Sequence, residues 1–471
     1  MPRRPFIALT ATVTALTLAT TAGAMLLPTS GAIAPGGGSA TAGTEPVFVV
    51  TGSGYGHGAG MSQYGAFAQA NAGRSATDIL AFYYPGTQRG RRTGTKLRVL
   101  LAQAATSLAI SSPAPYTARD AAGQTYELPA GSVTLGPELQ LPIDGVPTTV
   151  LGPLTITPAT GSLISLGSRS YHGTLEVSST GKALQAIDVV GLEAYVEGVV
   201  PGEVPGTWPV AALQAQAIAA RSYALAARMK GKAWDLYSDG RSQQYHGAGS
   251  ETPETTAAVK ATAGAVLVYG GAVATTVYSS SSGGWTQSGL DAFGLDLPYL
   301  PAQDDPWDTA SPFHAWQPRA YTARKLAKAL GLRAPVTDVR VRFSPSARAM
   351  SITVTGADGS SLAVAGSEAR RRLALRSTAF HLGMLCFLEP ETSTGPGAPL
   401  RLNGVARDAR RPALERLAPD GTWQTVIRRL QVSPTGTFAA VVRPTQTTTY
   451  RLSASGLPGP VLTIPVVGTL P

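Results

Sequence analysis

Residues 206–228 read GTWPVAALQAQAIAARSYALAAR, a run so rich in alanine that no broad face of it is polar. Val210, Leu213, Ala217, Ala220 and Ala224 recur at three- and four-residue steps, which predicts a helix over 207–230. Thr207 stands as its N-cap, with Pro209 in the first turn. Small side chains on several faces let neighbouring elements approach closely. The helix therefore belongs at the centre of a fold, not on its edge. Its polar exceptions fall on two sides: Gln216 and Tyr223 with Ala220 on one, Gln214 and Arg221 on another. They read either as a solvent face or as the lining of a groove.

Around this helix the pattern is mixed. Strand-like runs cover 96–102, 110–119, 151–157 and 171–177, separated by Gly, Pro and Asp turns. Helical segments are expected at 253–262, 323–330 and 366–375, with strands at 265–269, 339–343 and 351–355 between them. Residues 391–398 form a linker by composition, and 399–471 then alternate short strands with turns at 402–405, 423–427, 437–442 and 448–452. The fold class is α+β, with a mixed module over 45–390 followed by a small all-β sandwich of immunoglobulin-like type.

The first 34 residues stand apart. Arg3 and Arg4 precede an uncharged run from Phe6 to Leu27, with small-residue sites at Ala22-Gly23-Ala24 and Ala32-Ile33-Ala34. That is the layout of a secretory signal, and its length also suits an N-terminal membrane anchor. Residues 35–44 are a Gly/Ala/Ser/Thr tether. Cys386 is the lone cysteine, so neither an intrachain disulfide nor a cysteine-based zinc site can form. The net charge is +10, and 399–471 hold nine Arg against three acidic residues. A basic secreted chain is suited to anionic wall polymers. No nucleic-acid-binding motif is present.

Three stretches carry candidate chemistry. Residues 52–66, GSGYGHGAGMSQYGA, crowd six glycines around His57, Gln63 and Tyr64. Gly54-x-Gly56-x-x-Ala59 superficially fits a dinucleotide turn, but its acidic partner, Asp78, lies in a helical context and no P-loop lysine follows. A turn, or a groove wall carrying His57, remains. The five histidines are far apart in sequence and none pairs at i,i+4, so no metal and no cofactor is expected. YSSSSGGWT, 278–286, offers serines but lacks the nucleophile elbow G-x-S-x-G. Glu203 lies between Pro201 and Pro205, four residues before the predicted cap, among Val199, Val200, Val204 and Trp208. Two readings stay open: a carboxylate stabilised by the following helix N-terminus, or an acid whose pKa is raised by apolar neighbours.

At these residues the sequence resembles the stage II sporulation protein D (SpoIID) family, which includes the amidase enhancer LytB. The resemblance rests on VEGVVPGEVPGTWPVAALQAQAIAARSYALA, then QQYHG, AVKATAGAVLVYGGAVATTVYSSSSGGWT, PYLPAQDDPWD and GSEARRRLALRSTAFHL, in that order. GYGHGAGMSQYGAFAQANAGRSATDILAFYYPGT matches the family's closing motif, yet here it comes first. The module, covering roughly 45–388, thus looks circularly permuted, which is cheap when domain termini lie close together. Permutation predicts that 54–87 pack against 191–228.

The resemblance implies an exported lytic transglycosylase. It would cleave MurNAc–GlcNAc glycan, chiefly strands stripped of stem peptides, to 1,6-anhydro ends. Glu203 matches the catalytic glutamate, acting as acid and then base. The substrate-contacting set is Gln214, Gln216, Arg221, Tyr223, Tyr245, Ser282, Gly283, Gly284, His57, Gln63 and Tyr64. The Cys/His zinc site of some members does not carry over. Asp304, Asp305 and Asp308 are where a second carboxyl for hydrolysis would be sought. The implied partners are peptidoglycan, anionic wall polymers and a cell-wall amidase. Two other classes remain: a non-catalytic enhancer of that amidase, and a wall adhesin working through its basic C-terminal domain.

Overall fold

The computed structural model describes residues 44–388 and 393–468. The signal or anchor segment and most of the tether fall outside these, as does the start of the 391–398 linker. The described chain forms two compact units, one of 48–384 with 408–410, the other of 44–47, 385–407 and 411–468.

In the larger unit, α1 (Gln63–Asn71) and α2 (Ala76–Tyr83) follow the glycine-rich stretch; α3 (Leu192–Glu203), α4 (Val210–Ala226) and α5 (Pro253–Ala261) lie mid-chain; and α6 is Gly289–Phe293. A seven-stranded sheet packs beside them. Its order is Leu236–Tyr237, Lys96–Ala105, Leu184–Gly191, Thr174–Ser179, Leu154–Pro158, Tyr116–Arg119, Thr125–Leu128. It is antiparallel apart from the Leu236 edge.

The α4 helix is central, as its alanines require. Leu213, Ala217, Ala220 and Ala224 join the core built on the sheet and α3. Ala215, Ile218 and Ala219 join a second core with Ile79, Leu80, Tyr83 and Tyr84 of the 76–84 segment. One helix thus seals two apolar clusters with opposite faces, which larger side chains would hold apart.

The front of the chain is stitched to the back of the module. The Val47–Gly52 strand lies between Arg319–Thr322 and Phe380–Phe387, and just beyond it Ser53 N–H donates to Ala379 O (2.9 Å). Met61–Ser62 pairs in parallel with Tyr278–Ser279. Segment 54–87 does pack on α4, as permutation predicts.

Several boundaries differ from expectation. The α4 helix begins at Val210 with Pro209 as its N-cap, not Thr207; Trp208 N–H is held by Pro205 O (3.1 Å), which closes a turn first. The 110–119 run is two strands, Leu108–Ser112 and Tyr116–Arg119, broken at Pro113 and Pro115, where the ladder lacks two N–H donors. The α3 helix was not expected at all.

The smaller unit is all strand. Leu400–Arg407 pairs with Thr437–Val442, and Trp423–Ile427, Pro412–Leu417, Thr448–Ala454 and Leu457–Ile464 form a four-stranded antiparallel sheet. Leu400, Leu402, Leu414, Phe438, Leu452 and Ile464 are buried in it.

Candidate active site

An open cleft in the larger unit is lined by His57, Glu203, Tyr223, Arg241, Gln243, Gln244, Tyr278 and Phe293 among others. Glu203 is the one carboxylic acid in that lining. It is the last residue of α3, at the C-terminal end of that helix, and α4 starts only seven residues on. The dipole reading fails, because a carboxylate at a helix C-terminus meets the negative end. The desolvation reading fits. Burial holds the Glu203 carboxyl above its ordinary pKa, opposed by hydrogen bonds from Gln244 and Gln63. Gln244 N–H donates to Oε1 (2.8 Å) and Gln63 Nε2 to Oε2 (3.3 Å).

Each partner has a sequence cause. The α3 helix approaches the 240–247 segment closely because Gly198 and Gly202 face it. A Cβ on Gly198 would fall 2.7 Å from the Tyr245 ring, and one on Gly202 would fall 2.6 Å from Gln244 O. Gln63 opens α1, whose N-cap is Ser62: its Oγ accepts from Gly65 N–H (3.1 Å) and donates to Asp308 Oδ1 (3.0 Å). Behind that cap Asp308 is fully buried. It also accepts from Ser281 Oγ (2.9 Å), Ser282 N–H (2.8 Å) and Gly283 N–H (3.0 Å), and lies 3.2 Å from His314 Nδ1.

The glycine-rich stretch is a turn that packs on a cation. Gly58 has φ +77°, and a Cβ there would fall 1.8 Å from Arg348 Nη2. Arg348 is buried and donates to Ser282 O (2.7 Å). No dinucleotide turn is formed: Asp78 belongs to α2, where it shares a capping box with Ser75. His57 lines the cleft beside Phe293 (5.0 Å between ring centroids). Burial pushes its pKa down to about 4, so the imidazole is neutral near pH 7, and its Nδ1 accepts from Ala59 N–H (3.1 Å).

Of the eleven expected contact residues, the fold brings His57 and Tyr223 to the cleft. Gln63 and Gln216 are almost wholly buried beside Glu203, bonded to each other rather than facing solvent. Tyr64 packs with Phe67, Trp208 and Phe313 next to them. Gln214, half-buried on α4, is not in the cleft lining. Arg221 requires correction. It is completely buried, clamped by Glu193 (2.8 and 3.0 Å) and by Ala265 O (3.1 Å), out of reach of any ligand. So does Tyr245, whose hydroxyl donates to buried Asp188 (2.7 Å). Ser282 is likewise buried and donates to Asp305 (2.8 Å), while Gly283 and Gly284 turn the chain there at positive φ.

Asp305 and Asp308 sit in that buried network and do not line the cleft; Asp304 is exposed beside Trp285. Among the described residues, no second carboxyl lines the cleft with Glu203. One metal-like grouping does form elsewhere. His172, Glu197 and Glu251 bring ligand atoms within 4.8 Å of one another, and His172 Nε2 lies 2.8 Å from Glu251. The histidine spacing gave no hint of it, because its members come from three segments far apart in sequence.

Sequence reasoning passed over the rest of the cleft lining. Tyr278 donates to Gln243 Oε1 (2.7 Å). Arg241 stacks on Tyr237 (3.8 Å) and is paired with Asp239 (2.8 Å). Phe293 is exposed at the end of α6, an unusual place for an aromatic side chain and the one signal a sequence could have offered. Gln244 acts through its backbone, which no side-chain pattern reveals.

Residues 180–269 match the SpoIID family model, described as stage II sporulation protein. The chain is similar to the amidase enhancer of Bacillus subtilis, with 34% identity over 152 residues, 32% of this chain and 21% of that protein. To stage II sporulation protein D of Bacillus subtilis it is 27% identical over 215 residues, 42% of this chain and 62% of the other. An uncharacterized protein of Brachyspira hyodysenteriae is 32% identical over 31% of this chain and 43% of its own length. The chain thus spans less than two thirds of each of these relatives. Among the described residues no helix is long and apolar enough to cross a membrane.

Proposed function

From this chain's membership of the SpoIID family, we propose that it is an extracytoplasmic lytic transglycosylase acting on the glycan of peptidoglycan. The observation that carries the reading is Glu203, a lone carboxyl in an open cleft, its pKa raised by burial and its two oxygens held by hydrogen bonds. An acid retained protonated toward neutral pH is what a glycosidic leaving oxygen requires. Glu203 protonates the oxygen bridging MurNAc and GlcNAc. The carboxylate left behind then removes the proton of the MurNAc C6 hydroxyl, whose oxygen closes the 1,6-anhydro ring. Water does not enter the product, and the substrate acetamide stabilises the cation, so one enzyme carboxyl suffices. Tyr223 and Tyr278 wall the cleft, and exposed Phe293 offers a ring face to a sugar.

The smaller unit, read as an immunoglobulin-like sandwich over 399–471, holds the enzyme on anionic wall polymers through its excess of arginine. The permuted catalytic module is assigned to 45–390, behind an N-terminal export segment. A second reading is favoured by the similarity to an amidase enhancer: the cleft would bind glycan and stimulate a separate amidase.

Mass spectrometry of glycan strands, intact and peptide-stripped, after incubation with the protein and with Glu203→Gln separates the two. Anhydro-ended fragments that vanish in the variant support the transglycosylase. Reducing-end products overturn it in favour of hydrolysis. Binding without cleavage by either protein leaves the enhancer.

A further inference from the structure

The larger unit has a second pocket, separate from the cleft that holds Glu203. Its lining combines buried Val50 and Leu375 with Trp316, Gln317, Arg319 and Arg376, and no acidic residue belongs to it. Both arginines are exposed, and neither is paired with an acid among the described residues. Elsewhere in the same unit Arg98, Arg221, Arg228 and Arg241 each hold a carboxylate at 3.0 Å or closer. The pocket thus offers two uncommitted guanidinium groups beside one indole.

These groups are positioned in advance. The Arg376 guanidinium lies over the Phe313 ring, 4.8 Å from its centroid. The Trp316 ring rests on Gly52, where a Cβ would fall 2.4 Å from it, and its Nε1 donates to Gly54 O (2.9 Å). The same glycine-rich turn joins the pocket to the cleft. Gly56 N–H donates to Arg376 O (3.1 Å), and the next residue, His57, lines the cleft. Tyr55, exposed between Gly54 and Gly56, meets Phe313 edge-on at 5.0 Å. Cleft and pocket therefore flank one turn that carries an exposed ring.

A guanidinium fork matches a carboxylate in shape and charge, and an aromatic wall with a few polar groups suits a sugar. In glycan stripped of stem peptides each MurNAc bears a free lactyl carboxylate. With the peptide attached, that carbonyl is an uncharged amide, and GlcNAc carries no charge at all. We propose that this pocket is an anion subsite of the glycan track, in which Arg319 and Arg376 take the lactyl carboxylate of a MurNAc beyond the bond that Glu203 cuts. The subsite rests on the glycan reading of the cleft and gives it a means of telling stripped strands from intact ones. No bond is made or broken there.

The test is calorimetric titration of the full chain carrying Glu203→Gln, which leaves the strands uncut. The probes are peptide-stripped glycan strands and the same strands with their lactyl carboxylates converted to N-methylamides, compared at low salt. The acid strands are expected to bind about tenfold more tightly than the amides. Arg319→Gln and Arg376→Gln each cut that ratio to about threefold, and the double substitution removes it. Arg340→Gln, an exposed arginine outside the pocket, keeps the full ratio and so separates the pocket from bulk charge.

Equal affinity of the unsubstituted pocket for acid and amide strands overturns the subsite. So does a preference that survives the double substitution, or a failure of both strands to bind. Binding of poly(glycerol phosphate) that is lost in the double variant, with no preference between acid and amide strands, overturns it in favour of a wall-polymer site. A wild-type protein that yields no anhydro products sinks the transglycosylase reading alone, because the titration reads binding without cleavage.

Discussion

Asp308 is the most heavily used buried acceptor near the cleft, and its removal tests how the candidate site is held. Its two oxygens take backbone N–H groups from Ser282 and Gly283, hydroxyls from Ser62 and Ser281, and contact His314. In Asp308→Ala the hydroxyls can rotate to other acceptors, but the two N–H groups cannot. A buried donor left without a partner costs ~1–3 kcal/mol, so the pair accounts for about 2–6 kcal/mol. Arg348 also loses the negative charge that favours its ionised form. Against a domain stability of ~5–15 kcal/mol, a loss near 4 kcal/mol is large but survivable. Urea unfolding followed by near- and far-UV circular dichroism measures it. Asp308→Asn retains one acceptor oxygen and is expected to lose about half as much. Because Ser62 then caps α1 less firmly, Gln63 is displaced from Glu203 and glycan cleavage falls in both variants. Asp308→Ala within ~1 kcal/mol of wild type, or Asn no milder than Ala, would refute the idea that acceptor count at this residue sets the loop.

Two further outcomes follow from buried charges. Arg221→Met leaves half-exposed Glu193 without its clamp and three carbonyls with fewer donors; it is expected to lower unfolding stability by ~1–3 kcal/mol while KM for glycan stays at the wild-type value. A raised KM in a stable Arg221→Met protein would restore the sugar-contact role withdrawn above. Asp188 is fully buried, and burial lifts its pKa from 3.8 to about 7. The folded chain then holds a proton that the unfolded chain releases between about pH 4 and pH 7, so this group's contribution falls as pH rises through that window. Asp188→Asn is expected to flatten the decline of melting temperature between pH 4 and 8, leaving the part due to Asp305, which burial lifts to about 6. An unchanged slope would show that Asp188 does not titrate there.

The sequence made some of this legible because the determining physics is local. Ala323–Leu330 and Trp423–Ile427 fall where periodicity and turn residues place them. The alanines of α4 forecast its central place, since small side chains have few other uses at every turn of a helix. The α3 helix was hidden for the opposite reason. Gly198, Pro201 and Gly202 are helix breakers by propensity, and only the approach of Tyr245 and Gln244 explains why two glycines are needed there. Glu203 stood out through its apolar neighbours, and of the two readings left open for it burial is the one its raised pKa favours, although the helix it terminates was unseen. Arg221 and Tyr245 were misplaced because polarity on a helix or in a motif does not distinguish a groove from a buried clamp. The partners that decide between them, Glu193 and Asp188, come from other segments.

The two-residue parallel pairing of Met61–Ser62 with Tyr278–Ser279 sets an order in time. Gln63 is synthesised long before Glu203, and the Tyr278 and Phe293 walls of the cleft come later still. Joining contacts so distant along the chain is slow and happens only when both ends are available. A nascent or truncated chain ending between Glu203 and Tyr278 holds the acid but lacks the later walls of the cleft. The Asp308 anchor closes after that, and Arg348 and the Phe380–Phe387 strand later still. The order of segments along the polypeptide therefore leaves the cleft around Glu203 incomplete until nearly the whole module has been made.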